Sequence, residues 1–505
     1  MSDWGGGYIT DIAYIAGFHK IEEPAQSALG ALLSGFHASI PRREDALHLV
    51  DIGCGHGINA LVAAAANPGW RVTGLDFNPA HIAAARELAA QAGLANIAFI
   101  EADLRDFAAS PAARALPAFD AVSMHGVWSW VRREVQDGII RLLADKLAAG
   151  GQVHVSYNQT TGWAGQLGMQ RLIRAAGMRL AARSDAQAAA GYAVFQELLN
   201  ADGSAVLREG FGGALKSVLE GAPAAYLAHE FMNANWAPVM HGDVADRLAE
   251  AKLDYAGSAR LVNNFTQLML SAEQLAVLAR FDDPAMTELF KDVCRPERLR
   301  TDVFIRGARR IDSATRDARL YDLTVALQAT EAEWRFTFNA GFGKAELAES
   351  YYRAIFNRLK AGPARLRDLL ALPELAGRNQ NPAEVAGVGI GTDQLVLVAN
   401  PGAEMDTACR RLNAAMLKRQ LDAGQAEAIT FAVPAIGGGI TLPKLEGFLT
   451  HELITAPDRT APEDLADRLG VPRDQAQRDA FAHRLARYFD EDAPLLKHLG
   501  LPLPV

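Results

Sequence analysis

The chain has 505 residues, 50% of them apolar and 22% charged, with a formal net charge of -9. That length amounts to about three domains, and the composition is that of an ordinary globular protein. The acidic balance counts against broad nucleic-acid binding, which needs a basic face.

The first 45 residues read as a short helical lead-in, with Pro24 opening an Ala/Leu-rich helix and Pro41 closing it. Strand and helix then alternate. LHLVDIG is a buried strand, INALVAAAA a helix, WRVTGLD a strand, and PAHIAAARELAAQAG a helix that stops at Gly93. IAFIEAD and FDAVSMHG are strands, VRREVQDGIIRLLADKLAAGG is a helix ending on paired glycines, and QVHVSYN is a fifth strand. This alternation implies a mostly parallel sheet with helices on both faces. From about 163 to 290 the pattern is almost wholly helical, and RTDVFIRGARRID is a strand. Beyond about 330 it is mixed: a helix around 344–360, a strand at LVLVAN and a helical tail from about 443 to 490.

The cysteines Cys54, Cys294 and Cys409 are far apart and form no C-x-x-C pair, which argues against a zinc site and a disulfide framework. Their scarcity suits a reducing cytoplasm. The start, MSDWGGGYITD, lacks a basic region followed by an apolar one, and no apolar run approaches the ~18 residues of a membrane span. A soluble, cytoplasmic protein without a membrane partner is expected.

The chemistry concentrates at Asp51-Ile-Gly53-Cys54-Gly55-His-Gly57, between a strand and a helix. Glycines let the backbone turn sharply near a ligand, and the helix start offers unpaired N–H groups. The nicotinamide fingerprint G-x-G-x-x-G/A would put Gly or Ala at position 58, where the residue is Ile58. The next strand ends in Asp76-Phe77-Asn78, about 20 residues on, where a carboxylate can accept from ribose hydroxyls. The third ends in Asp103-Leu104.

The spacing D-x-G-x-G-x-G resembles motif I of class I S-adenosylmethionine (SAM)-dependent methyltransferases. The resemblance implies a Rossmann-like class I core and SAM as cofactor, with Asp103 facing the adenine amino group. Two further segments narrow it: His125-Gly126-Val-Trp128-Ser-Trp130-Val, and Ser156-Tyr157-Asn158-Gln-Thr160-Thr161-Gly-Trp163. They are similar to the HGVxSWV and SYNxxPGW signatures of bacterial methyltransferases with a methyltransferase regulatory domain, rickettsial protein-lysine methyltransferases among them. The run from Tyr226 through His229-Glu230 to Pro238 looks like that regulatory domain, as does the run from Leu253 to Ser258. Thr160–Thr161 departs from the family's usual Leu-Pro, in a loop expected to border the acceptor pocket.

Cofactor contacts are therefore expected from Asp51, Gly53, Cys54, Gly55, Gly57, Asp76, Phe77, Asn78, Asp103, Leu104 and His125. Tyr157, Asn158 and His125 are candidate catalytic groups, with a hydroxyl and an amide to align the nucleophile and an imidazole to take a proton. Trp128, Trp130 and Trp163 are candidate walls of the acceptor pocket, where tryptophan faces favour a cation. His229 and Glu230 could reach it from the helical region, while the absence of H-E-x-x-H argues against a metal. Tyr8 and Tyr14 suggest a lid over the cofactor.

Four regions are expected: an arm or lid at 1–45, the SAM-binding core at 46–185, a helical regulatory domain at 186–330 and an α+β C-terminal domain at 331–505, with a winged-helix-like order near 344–400. That last part is expected to serve dimerisation or substrate docking. The leading reading is N-methylation of protein lysines; a small-molecule N- or O-methyltransferase and a SAM-binding regulator without turnover are the alternatives.

Overall fold

The computed structural model describes residues 5–12, 17–202, 224–341, 343–422, 424 and 427–504. Seven strands form its main sheet: β1 (His48–Ile52), β2 (Arg71–Asp76), β3 (Ile97–Glu101), β4 (Phe119–Met124), β5 (Leu147–Asn158), β6 (Leu253–Ser258) and β7 (Leu299–Arg306). Their order is β3-β2-β1-β4-β5-β7-β6. The first five run parallel, as the strand–helix alternation predicts, and β7 and β6 close the edge antiparallel.

Two elements depart from the sequence reading. LAAGG, taken as the end of a helix, is the start of β5: the helix stops at Lys146, Leu147 pairs with Phe119, and the register then shifts. A glycine pair weakens a helix, and pairing with β4 outweighs the remaining helical preference of LAA. Leu253–Ser258, inside the stretch read as helical, is the edge strand β6. Six residues are too short to show a period, and only the partner β7 makes them a strand.

Helices cover both faces. α1 (Pro24–Leu33) lies against β6; α2 (Ile58–Ala66) and α3 (Pro79–Ala92) bury their apolar sides on one face of the sheet. α4 (Arg133–Lys146) and α5 (His241–Ala249) cover the other, contributing Ile139, Leu143, Val244 and Leu248 to its core. α6 (Leu167–Leu180), α7 (Ser184–Asn200) and α8 (Ala224–Phe231) pack on one another around Ile173, Phe195 and Phe231.

The C-terminal part has three small sheets. β8 (Thr324–Leu327) lies between β11 (Ala364–Arg365) and β12 (Leu395–Leu397); β9 (Thr337–Ala340) pairs with β10 (Gly343–Glu346), and β13 (Ala428–Val433) with β14 (Gly438–Pro443). The β13–β14 hairpin supports the core from outside: the Gly439 N–H donates to Glu23 at 2.7 Å, and the Asn67 amide donates to the Gly437 carbonyl at 2.8 Å. The helix Pro382–Gly391 is buried along most of its length and carries Glu384 as its charged residue. No helix among the described residues is long and apolar enough to cross a membrane.

Candidate active site

After β1 the backbone turns through Gly53, Gly55 and Gly57, all with positive φ. At Gly53 a side chain is doubly excluded: φ is +74°, and a Cβ would stand 2.4 Å from Val127. Asp76, at the end of β2, locks this loop. Its Oδ2 accepts the Gly55 N–H at 2.9 Å and its Oδ1 accepts the Asn78 N–H at 2.8 Å. Oδ2 keeps a further lone pair for a ligand, while Oδ1 also has the His81 Nδ1 at 3.4 Å. Asn78 in turn caps α3, accepting the Ala80 N–H at 2.9 Å.

A cleft of about 500 Å3 opens at the carboxyl ends of β1–β5. Of the expected cofactor residues, Asp51, Gly53, Cys54, Gly55, Asp76, Phe77, Asp103, Leu104 and His125 line it. Gly57 and Asn78 do not: Gly57 packs against Phe99, and Asn78 acts as the helix cap. Asp103 is clamped by Arg105, whose Nε lies 3.0 Å from both of its carboxylate oxygens and which holds the carboxyl below its usual range.

The floor is acidic. Burial and the neighbouring Asp76 push Asp51 up to about 7. Glu22, not anticipated from the sequence, lines the same floor and accepts the Ser123 hydroxyl at 2.8 Å. Burial, then Asp51, raises its carboxyl well above the ordinary range. In the sequence Glu22 is one of two acids before a Pro-initiated helix, where an acid is commonplace, so it carried no signal. His19, Glu22 and His125 bring one donor atom each to within 4.8 Å of one another. Burial and His154 hold His125 well below the ordinary histidine range and burial lowers His19, so this convergence sets neutral imidazoles beside a carboxyl group. Such a floor suits a cationic ligand.

Comparison with known proteins agrees with this geometry. Residues 50–153 match the "Methyltransferase domain" family, and residues 223–306 match the "Predicted methyltransferase regulatory domain" family. The chain is a SAM-dependent methyltransferase with a methyltransferase regulatory domain. Uncharacterized protein sll1526 of Synechocystis is 27% identical over 449 residues, 88% of this chain and 87% of that protein. Uncharacterized protein RP028 of Rickettsia prowazekii is 33% identical over 126 residues, which are 25% of this chain and 47% of that protein. The fold is similar to that of PKMT2 from Rickettsia typhi in complex with AdoHcy, with a TM-score of 0.69 and 17% identity, covering 97% of this chain and 100% of that one.

In the methyltransferase, the regulatory domain and the N-terminal arm complete the cleft. Trp130, Asn158, Trp163, Tyr8, His229 and Glu230 all line it. The Asn158 side-chain oxygen accepts the Trp236 indole N–H at 3.2 Å, and Trp163 meets the Trp236 ring edge-on at 5.0 Å. Trp236 lies in the quoted regulatory-domain run, but nothing in its spacing pointed to the site. Tyr8 bridges Phe77 of the core and His229 of α8, with ring centroids 5.7 and 5.8 Å away. The arm is docked by hydrogen bonds: the Gly7 carbonyl accepts the Ala234 N–H at 2.9 Å, and the Asp11 carboxylate accepts the Ser184 N–H at 2.9 Å.

Three expectations do not fit the cleft. Trp128 is core, 2% exposed, and does not line it. Tyr157 points to the opposite side of β5 from Asn158, as strand alternation requires, and donates to Asp302. Thr160 and Thr161 do not border the cleft either; the Thr161 hydroxyl ties the loop to the Asp292 carbonyl at 2.6 Å. Tyr14 lies outside the described residues.

Proposed function

We propose that this methyltransferase N-methylates lysine side chains of a protein acceptor, with SAM seated along the Asp51–Asp76–Asp103 side of the cleft. Bound there, SAM supplies a methyl group on a cationic sulfur, open to in-line displacement. Asp76 is suited to the ribose hydroxyls, and Asp51 and Glu22 to the cofactor's ammonium group. That cation favours ionisation of both carboxylates, and so offsets the cost of their burial. Tyr8 closes over the cofactor from the arm.

The observation that carries the acceptor reading is Glu230. It lines the cleft from α8, and burial pushes its carboxyl up to about 7. A carboxylate with that proton affinity can anchor a lysine ammonium and take its proton before attack. Trp130 and Trp163 provide flat apolar walls for the four-carbon stem, and the Trp130 face favours the charged head, while Arg298 stands over the Trp163 ring at 5.6 Å. A cleft of about 500 Å3 shared with the cofactor leaves room for a side chain better than for a second full-sized molecule. The likeness to rickettsial protein-lysine methyltransferases supports the same reading.

The test is incubation with methyl-labelled SAM and a lysate of the source organism, followed by separation of protein and small-molecule fractions. The expected result is label in protein, on lysine after acid hydrolysis. Label confined to small molecules overturns the lysine reading, and label in neither fraction overturns turnover itself.

A further inference from the structure

A second cavity lies behind the wall of the cofactor cleft. It measures about 650 Å3 and is bounded by the regulatory domain at 259–263 and 295–297, the β9–β10 hairpin, the end of helix Pro382–Gly391 and the turn at Lys20–Ile21. Five cationic side chains line it, namely Lys20, Arg260, Arg295, Arg335 and Lys344, against two carboxylates, Glu297 and Asp393. The carboxylates are taken: Asp393 pairs with Lys20 at 3.3 Å and Glu297 with Arg295 at 3.5 Å. Among the described residues, the side chains of Arg260, Arg335 and Lys344 have no hydrogen-bond or ion-pair partner. A -9 protein thus gathers three uncompensated cations, from its regulatory domain and its C-terminal part, around one cavity.

Two strips of chain separate this cavity from the cofactor cleft, and each faces both. In the N-terminal turn, Lys20 and Ile21 face the cavity while His19 and Glu22 line the cleft. In the strip leading into β7, Arg295 and Glu297 face the cavity while Arg298 and Leu299 line the cleft. Arg260 also bears on the far side, adding to the burial and the histidine neighbours that keep His125 neutral.

We propose that this cavity is a binding site for a small polyanion bearing phosphate or carboxylate groups, and that its occupancy acts on SAM binding through the two shared strips. Guanidinium groups engage either oxyanion bidentately. Phosphate and carboxylate share this chemistry, so the probes must separate them. A bound anion neutralises the cluster and draws on Lys20, in the same turn as Glu22.

The test is calorimetry on the full chain in 150 mM NaCl, where exposed charges are well screened, with pyrophosphate and citrate as separate probes. At least one is expected to bind saturably, and the stronger of the two names the ligand's charged group. The double variant R335E/K344E, at two exposed positions outside the cofactor cleft, should weaken that binding at least ~10-fold. Its SAM affinity without the probe should be unchanged, which establishes that it is folded. Saturating probe should shift the SAM affinity of the wild-type protein, and SAM should shift the probe's by the same factor. The site is overturned if neither probe binds, if the double variant binds as well as wild type, or if an acidic peptide binds where both probes fail. The coupling is overturned if saturating probe leaves SAM affinity unchanged. No acceptor is present in these measurements, so a failure of the lysine assignment leaves them intact.

Discussion

The Asp76 carboxylate accepts the Gly55 N–H at 2.9 Å, so the residue proposed to hold the cofactor's ribose also fixes the glycine loop beside it. Asp76→Ala removes both effects. Charge-assisted hydrogen bonds contribute about 1.5–3 kcal/mol each, so SAM affinity should fall by ~100-fold or more. Calorimetry checks this, and unchanged binding would mean the cofactor lies elsewhere.

Glu230→Gln keeps the shape of the side chain and removes its basicity. We expect kcat to fall by roughly 100-fold or more, within the usual range for general-base removal, with little change in SAM affinity. The sign of the pH effect follows from the raised carboxyl, at about 7. The basic form predominates above that pH, so the wild-type rate should drop as pH falls through 7. Persistence of the same inflection in the variant would assign it to another group.

Asp51 offers a trade between stability and binding. Its carboxyl stands at about 7 in the folded protein against 3.8 ordinarily. The folded state therefore keeps a proton that the unfolded state has released, and this contribution to stability is lost as pH rises from about 4 through 7. Asp51→Asn should raise the melting temperature of the ligand-free protein at pH 8 by about 1 °C, on the order of 1 kcal/mol, and weaken SAM binding. Differential scanning fluorimetry at pH 6 and pH 8 reads both; an equal change at the two pH values contradicts the assignment.

Arg300 ties the far side of the sheet together. Its Nε lies 2.9 Å from Asp302, and its two terminal nitrogens bond Asp292 and Glu288. Burial alone would raise Asp302, but Arg300 and His241 pull it well below the usual carboxylate range. Arg300→Met removes the guanidinium that three buried carboxylates share, leaving Lys291 to Glu288 and His241 to Asp302, and we expect a loss of ~3–5 kcal/mol in urea unfolding. A loss under 1 kcal/mol would show that the network relaxes.

Tyr8 is the arm's contact with both halves of the cleft. Tyr8→Ala should raise the SAM dissociation constant several-fold, mainly through faster release, because a closing lid acts on escape more than on entry. Stopped-flow displacement measures this directly; an unaltered release rate would reduce the arm to a packing segment.

The cofactor side of the site was legible in the chain because it is local. A strand followed by D-x-G-x-G-x-G places Asp51, Gly53 and Gly55 by backbone geometry alone, and the acids after β2 and β3 follow in the register of a parallel sheet. The acceptor side was not legible in the same way. Tyr157 and Asn158 are adjacent in sequence, yet the alternation of β5 sends one to Asp302 and the other to the cleft. Which of the two faces the ligand depends on the register of β5 against β4 and β7. Glu22 enters the floor because α1 packs against β6, itself a strand only through pairing with β7. Sequence by itself thus determined the fold class, the cofactor and most of the residues proposed to hold it, since each rests on residues close along the chain. Tertiary structure decided the acidic partner at the floor, the orientation of the acceptor residues and the cationic cavity behind the cleft. Each of these joins segments tens to hundreds of residues apart, and only packing brings them together.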